Sequence, residues 1–303
     1  LLVFGFADYR HTEFEGDEVG TRFTNKQWEG RIELQHSLLE LMTGSVGIQL
    51  GARDFAALGD EAFVPPADNL SFALFGFEEL EEGDLRYQVG GRIEGQRVRG
   101  KDLGIEESHV GVSLSAGLSW AMTERVSLAL SGARSVKLPS LEELLSNGPH
   151  AATFSFEIGN PDLENESAYS VDATLRLTEG RIRGELTGFL NYFDQFIFQD
   201  FTGDEEDGLP VLRFEQEDAI FTGAEASVAV TLHHHAPHHL LLEGWGDYVR
   251  AELRKTDQPL PRIPPLRLGG RLRWDGGPRR PLPPLRALLP RPPLRADALQ
   301  NPG

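Results

Sequence analysis

The sequence predicts an all-β chain, an antiparallel transmembrane β-barrel, on three observations. Apolar and polar residues alternate with period two in one segment after another, the mark of strands whose two faces meet different surroundings. No apolar run approaches the ~18 residues of a membrane helix, and mean hydropathy is −0.30. Any membrane crossing is therefore made by strands, whose half-polar composition keeps hydropathy low. The connections alternate between short and long, as in barrels with short turns on one rim and longer loops on the other. A soluble β-sandwich satisfies the first two observations but has no reason to gather every long loop at one end.

The elements follow in order. Segment 1–15 is apolar in its first half and charged in its second. Trp28, Gly30, Ile32 and Leu34 alternate with Gln27, Glu29, Arg31, Glu33 and Gln35, a polar face too charged for a dry core. Val46, Ile48, Leu50 and Ala52 repeat the pattern, and 69–81 does so less regularly. Leu85, Tyr87, Val89, Gly91 and Ile93 come next, followed by Val110, Val112, Leu114, Ala116, Leu118, Trp120 and Met122 on one face with small residues on the other. Val126–Val136, Tyr169–Leu177 on odd positions, Ile182–Tyr192 and Ile220–Leu232 on even positions, 239–253 and 264–274 bring the count to about twelve strands. Short links fall near 37–44, 82–84, 123–125, 178–181 and 233–238. Long ones fall near 16–22, 57–68, 99–106, 138–166, 200–217 and 254–263. Tyr9, Trp120, Tyr192, Phe196, Phe198 and Tyr248 lie towards strand ends, where an interfacial aromatic girdle belongs.

The 303 residues contain no cysteine, which excludes disulfides and thiolate metal sites, and carry a net charge of −18. That balance disfavours nucleic acid and favours cations. Leu1 opens inside an apolar pattern, so an N-terminal part of the protein is expected to precede it. Residues 1–275 read as the partial barrel. Residues 276–303 hold five Arg and one Asp, and 278–303 hold eight Pro and no β-branched residue. Proline removes ladder hydrogen bonds, so this tail is expected to be a disordered extension or non-native sequence.

The segment from Lys137 to Ser167, rich in Gly, Pro and Asn between two strands, is too long for a hairpin turn and reads as a functional loop. It opens with Lys137, Pro139, Glu143 and Leu144, continues through Gly148–Thr153 with His150, and closes with Gly159, Asn160, Pro161, Leu163, Glu166 and Ser167. This pattern resembles the signature loop of TonB-dependent outer-membrane receptors. Phe156–Glu157 and Asn191–Ile197 are similar to the zinc-uptake branch. Asn165 stands where the family usually has Pro, and Lys137 where Arg is commoner. The resemblance implies about twelve strands of a larger barrel in a Gram-negative outer membrane, with a plug and an N-terminal TonB box upstream. It also implies energised uptake of a scarce ligand, zinc foremost, with a siderophore or haem as the alternative within the family. A passive porin or adhesin barrel is the alternative outside it. The implied partners are the TonB complex through the missing N-terminal part, membrane lipid, and a metal ion or chelate. No nucleic acid is implied, and no cofactor beyond zinc as transported ligand.

No nucleophile elbow, phosphate loop or His-Glu-x-x-His motif occurs, so nothing points to an enzyme. His11 heads the first strand, and Glu13 and Glu15 share its face at spacing two, a donor set suited to a divalent ion; a solvated acidic loop is the plainer alternative. His150, which the resemblance places in the extracellular vestibule near Glu157, Glu142 and Glu143, is the second candidate, against a loop-packing histidine. His233, His234, His235, His238 and His239 form the most conspicuous cluster but occupy a short link. They therefore face the periplasm as a secondary metal site or as a merely tolerant turn. The acidic stretch Asp200–Asp218 is expected to be a loop that concentrates cations.

Overall fold

The computed structural model describes residues 1–276 except 16, 39–40, 60–61, 151–152 and 236–237. The side chains of Glu15, Glu18, Leu38 and His235 also lie outside this description, as does the tail from residue 277 onward. The chain runs as a meander through β1 (Leu2–Glu15), β2 (Glu18–Leu38), β3 (Met42–Gly59), β4 (Ala67–Glu82), β5 (Leu85–Gly100), β6 (Ile105–Ala121) and β7 (Val126–Lys137). A short helix α1 (Leu141–Leu145) and two short strands, β8 (Asn147–His150) and β9 (Ser155–Ile158), interrupt it. It resumes through β10 (Glu166–Leu177), β11 (Ile182–Glu206), β12 (Leu209–His235), β13 (His238–Leu253) and β14 (Arg267–Asp275). The order is sequential, with β7 beside β10, so twelve strands form the antiparallel wall. Among the described residues β1 pairs only with β2 and β14 only with β13, leaving the sheet open at both edges.

Period two and register together build the outer face. Leu2, Ile32, Ile48, Leu74, Ile93 and Val112 pair in succession across six neighbouring strands. All six are exposed. A one-residue slip anywhere would turn a strand's apolar set inward, so this continuous belt is what fixes the register. In β6 the even residues from Val110 to Trp120 stand on the same outer side, with Leu114 57% exposed, while Ser113 on the opposite face is 4% exposed.

The inner face is polar and internally paired. Arg31 meets Glu33 at 2.8 Å and lies 4.2 Å from the Phe75 ring centroid; Arg92 meets Glu94 at 3.0 Å. Residues two apart on a strand share a face, so these pairs satisfy the charges that a dry core would exclude.

Successive connections define two rims. One carries the links at 39–41, 83–84, 122–125, 178–181 and 236–237; the other carries 16–17, 60–66, 101–104, 138–165, 207–208 and 254–266. The alternation is as expected, but two predicted long loops are strand instead. β2 begins at Glu18, and β11 and β12 run to a tight turn at Asp207–Gly208. The 27 residues of β12 span roughly 90 Å at about 3.3 Å each, far beyond the ~10 residues of a membrane crossing. Its hairpin with β11 therefore projects from the loop rim, and ladder hydrogen bonds let a charged sequence remain strand in water. A bulge between Phe193 and Phe196 bends β11, with Gln195 at φ 59°. Asp218 fixes it by accepting from the Gln195 N–H at 3.2 Å and the Tyr192 hydroxyl at 2.6 Å. Phe196 and Phe198 pack with Phe193 and Phe221 around Ala219, Ala251, Leu253 and Leu260. They are thus partly buried, whereas Tyr9, Trp120 and Tyr248 are exposed as girdle residues would be.

Candidate functional site

The segment between β7 and β10 folds onto the inner wall and forms the main core. Leu141, Leu144, Leu145 and Leu163 pack with Val64, Ala67, Val98 and Ile197. Its opening motif is a helix start. Ser140 Oγ accepts from the Glu143 N–H at 3.2 Å, and the Glu143 carboxylate accepts from the Ser140 N–H at 2.8 Å, a reciprocal capping box. Lys137 donates to the same carboxylate. The Pro139 carbonyl accepts from Gln96 Nε2 at 2.6 Å, and Arg53 Nη1 binds Glu142 at 3.1 Å. Glu142 and Glu143, expected beside His150, are thereby committed to anchoring α1.

Two glycines allow the close approaches that seat the loop. A Cβ on Gly148 would stand 2.7 Å from the Ala62 carbonyl oxygen, and one on Gly159 would stand 2.6 Å from the Ser146 nitrogen. Without those atoms, the Asn147 N–H reaches the Phe63 carbonyl at 2.7 Å and the Gly159 N–H reaches that of Ser146 at 2.7 Å. The first contact carries Phe63 onto His150, ring on ring at 4.2 Å and 8°.

β8 and β9 form a hairpin that sets Gly148 opposite Glu157 and His150 opposite Ser155, and β9 adds in parallel to β12 at Val211–Arg213. Glu157 is 4% exposed. Its Oε1 lies 2.9 Å from His150 Nδ1 and accepts from the Thr153 hydroxyl at 2.8 Å. Thr153 Oγ1 also sits 2.7 Å from Ser155 Oγ. The buried carboxylate, with the Thr153 hydroxyl as one donor and His150 Nδ1–H as the other, turns the imidazole so that Nε2 is left for something else.

The closing motif locks the loop. Asn160 Oδ1 accepts from the Asp162 N–H at 3.0 Å, and its Nδ2 donates to the Phe214 carbonyl at 3.3 Å. Asn165, the departure from the family pattern, donates to the Val110 carbonyl at 2.8 Å. Glu166 accepts from the buried Ile197 N–H at 2.8 Å. Burial pushes its carboxyl above the usual range, outweighing the Ile197 hydrogen bond and the Lys137 charge that lower it. Glu166 lies on the loop side of the Tyr169–Tyr192 ring pair, beyond the exposed apolar stretch of β10.

His11 Nε2 lies 3.2 Å from Glu13 Oε1, and its ring stacks on Phe23 at 4.4 Å. The shared face of His11 and Glu13 is as the spacing predicts; the Glu15 side chain is outside the described residues. His11 and His150 occupy the same rim, yet among the described residues no hydrogen bond or ring contact joins them. Nor does any group of three or more His, Asp or Glu side chains suited to one metal ion occur among the described residues. On the opposite rim His234 Nδ1 and His239 Nδ1 are 3.0 Å apart, and His238 stacks on Trp274. The acidic stretch Asp200–Asp218 is a hairpin whose carboxylates are partly spent on structure. Besides Asp218, Glu217 accepts from the N–H groups of Lys255 and Thr256 at 2.6 and 2.9 Å. Sequence reasoning missed Phe63 and Arg53, which meet the loop from distant elements, and gave Thr153, already part of the motif, no role of its own.

A family model described as "TonB dependent receptor-like, beta-barrel" matches residues 2–291. Among solved structures, the copper transporter OprC superposes with a TM-score of 0.71 at 14% identity, over 88% of this chain and 45% of that one. The siderophore receptor PirA from Acinetobacter baumannii gives 0.61 at 15%, over 84% and 41%. The Serratia marcescens hemophore receptor HasR, solved with its hemophore HasA and heme, gives 0.57 at 14%, over 74% and 42%. At these identities the likeness is one of fold, and the chain spans less than half the length of each.

Proposed function

Because the chain belongs to the TonB-dependent receptor-like β-barrel family, we propose that it is part of an outer-membrane receptor for TonB-energised uptake of a divalent metal, zinc in particular. The observation that carries the ligand class is the His150–Glu157 pair. A carboxylate holding one imidazole nitrogen fixes the ring and raises the basicity of the other nitrogen, the arrangement that prepares a histidine for a metal ion. Glu157 is then an orienting partner and His150 Nε2 the ligand atom. His11 and Glu13 stand on the same rim as a first contact for the ion, and the acidic hairpin draws cations towards it. The uptake class follows from the continuous exposed apolar belt, the polar inner wall, and the family, whose members reside in Gram-negative outer membranes. The opposite rim, with its short turns, faces the periplasm.

The test is accumulation of zinc, a ferric siderophore and haem by cells with and without the full-length receptor gene. Zinc accumulation that requires both the gene and an intact TonB complex supports this reading. Unchanged zinc with loss of siderophore or haem assigns the ligand to the alternative within the family. Uptake independent of the TonB complex overturns the energised mechanism in favour of a passive barrel.

A further inference from the structure

The histidines where β12 meets β13 lie on the rim opposite the signature loop, and their geometry supports a role of their own. His234 lies near the end of β12 and His239 near the start of β13, and the register sets them directly opposite each other. Their Nδ1 atoms are 3.0 Å apart, with the rings at 61° and centroids 4.6 Å apart. Two neutral imidazoles in that contact share one proton, one Nδ1 donating and the other accepting. An ion bonded at about 2.0–2.1 Å to each nitrogen spans the same separation with a nearly right N–metal–N angle. That angle suits adjacent positions of octahedral or square-planar coordination.

We propose that His234 and His239 form a binding site for a divalent transition-metal ion of the copper or zinc class, held by both Nδ1 atoms with water completing the shell. Binding requires only a tautomer shift. The ring that carried its proton on Nδ1 carries it on Nε2 instead, which frees both Nδ1 lone pairs. A register shift between Thr231 and His233 places the two histidines opposite each other. His238 stacks on Trp274 of β14 at 5.7 Å and 25°, steadying the start of β13. Asp275, cross-strand partner of His239, has its carboxylate engaged by Arg273 at 2.9 Å. Among the described residues the donors are the two imidazoles, and Cu²⁺ should bind more tightly than Zn²⁺.

The experiment titrates Cu²⁺ into the full-length receptor in detergent micelles and reads affinity together with nitrogen couplings in the electron paramagnetic resonance spectrum. The parent should show a site with two imidazole nitrogens. His234→Ala and His239→Ala should each weaken that site by about tenfold or more, and the double variant should add little, because either loss destroys the chelate. The series is made in a His11→Ala, His150→Ala background, so that copper bound on the capture rim does not contribute to the signal. His239→Asn, which keeps a polar turn residue, reports in place of an alanine variant that does not fold. Parental affinity and a two-nitrogen signal in either single variant would overturn the proposal, as would binding that appears only at millimolar copper.

Discussion

Glu157 holds His150. The carboxylate, almost fully buried, lies 2.9 Å from His150 Nδ1 and takes a second hydrogen bond from Thr153 at 2.8 Å, while Phe63 stacks on the imidazole from β3's side of the rim. Three contacts, two on the ring and one behind the carboxylate that holds it, thus fix the imidazole in one orientation. The helix cap at Ser140, the glycine contacts at Gly148 and Gly159 and the buried Glu166 all hold the segment that presents it.

The two rims should be distinguishable from outside the cell. Phe154 is 77% exposed at the tip of the β8–β9 hairpin, and Glu179 is exposed on a short turn of the other rim. In the full-length receptor, Phe154→Cys should react with a membrane-impermeant maleimide on intact cells. Glu179→Cys should react only after the outer membrane is opened. The reverse pattern would invert the topology.

The outer belt should behave as a lipid-facing surface. Leu114→Arg, in the middle of the exposed face of β6, should destabilise the full-length receptor in lipid by about 2–4 kcal/mol. Ser115→Arg, one residue on and facing the interior, should cost much less. Equal unfolding penalties in denaturant titrations would mean that the two faces are wrongly assigned.

Gly159→Ala should unlatch the loop without unfolding the wall. The added methyl meets backbone atoms of Leu144, Leu145 and Ser146 at 2.6–2.7 Å, which cannot move as a side-chain tip can, so the local cost is about 1–3 kcal/mol. Limited proteolysis should then cut within 138–165 much faster than in the parent, while heat-modifiable gel migration stays parental. Unchanged cleavage would show that the close approach is not required.

Loop closure should weaken as pH rises. A carboxyl whose folded pKa is raised contributes stability that is fully present below the unfolded pKa and is lost as pH climbs through the folded one. Burial raises Glu166 in this way, so amide exchange at Ile197 should speed up from the ordinary carboxylate range upward. Glu166→Gln still accepts the Ile197 N–H and does not ionise, and its exchange should be flatter with pH once the intrinsic rate is divided out. Identical profiles in parent and variant would remove Glu166 as the cause.

The fold was readable in the sequence because period two is a local property that the outer belt enforces in every strand, from Ile32 to Val112 and again from Tyr169 to Leu232. The rims were readable because an antiparallel meander must alternate them. The length of the β11–β12 hairpin was not, since carboxylates such as Glu215 and Glu217 resemble loop residues until a partner strand supplies their ladder. The loop motif marked His150 and Glu157, but not that Glu157 would be buried behind the ring. That depends on Phe63 and Thr153, whose contacts follow from the fold and not from spacing. Likewise the spacing that marked Glu142 and Glu143 gave no sign of Arg53, 89 residues from Glu142 in sequence, which occupies one of them.

The most direct measurement is the initial rate of zinc accumulation by intact, zinc-starved cells carrying the full-length receptor as parent, His150→Ala or Glu157→Gln. Loss of the ligand nitrogen should abolish receptor-dependent accumulation. Loss of its orienting charge should weaken zinc affinity by about 10–100-fold, restoring uptake only at higher zinc. Parental rates in both variants at limiting zinc would contradict the account and place capture elsewhere on the receptor.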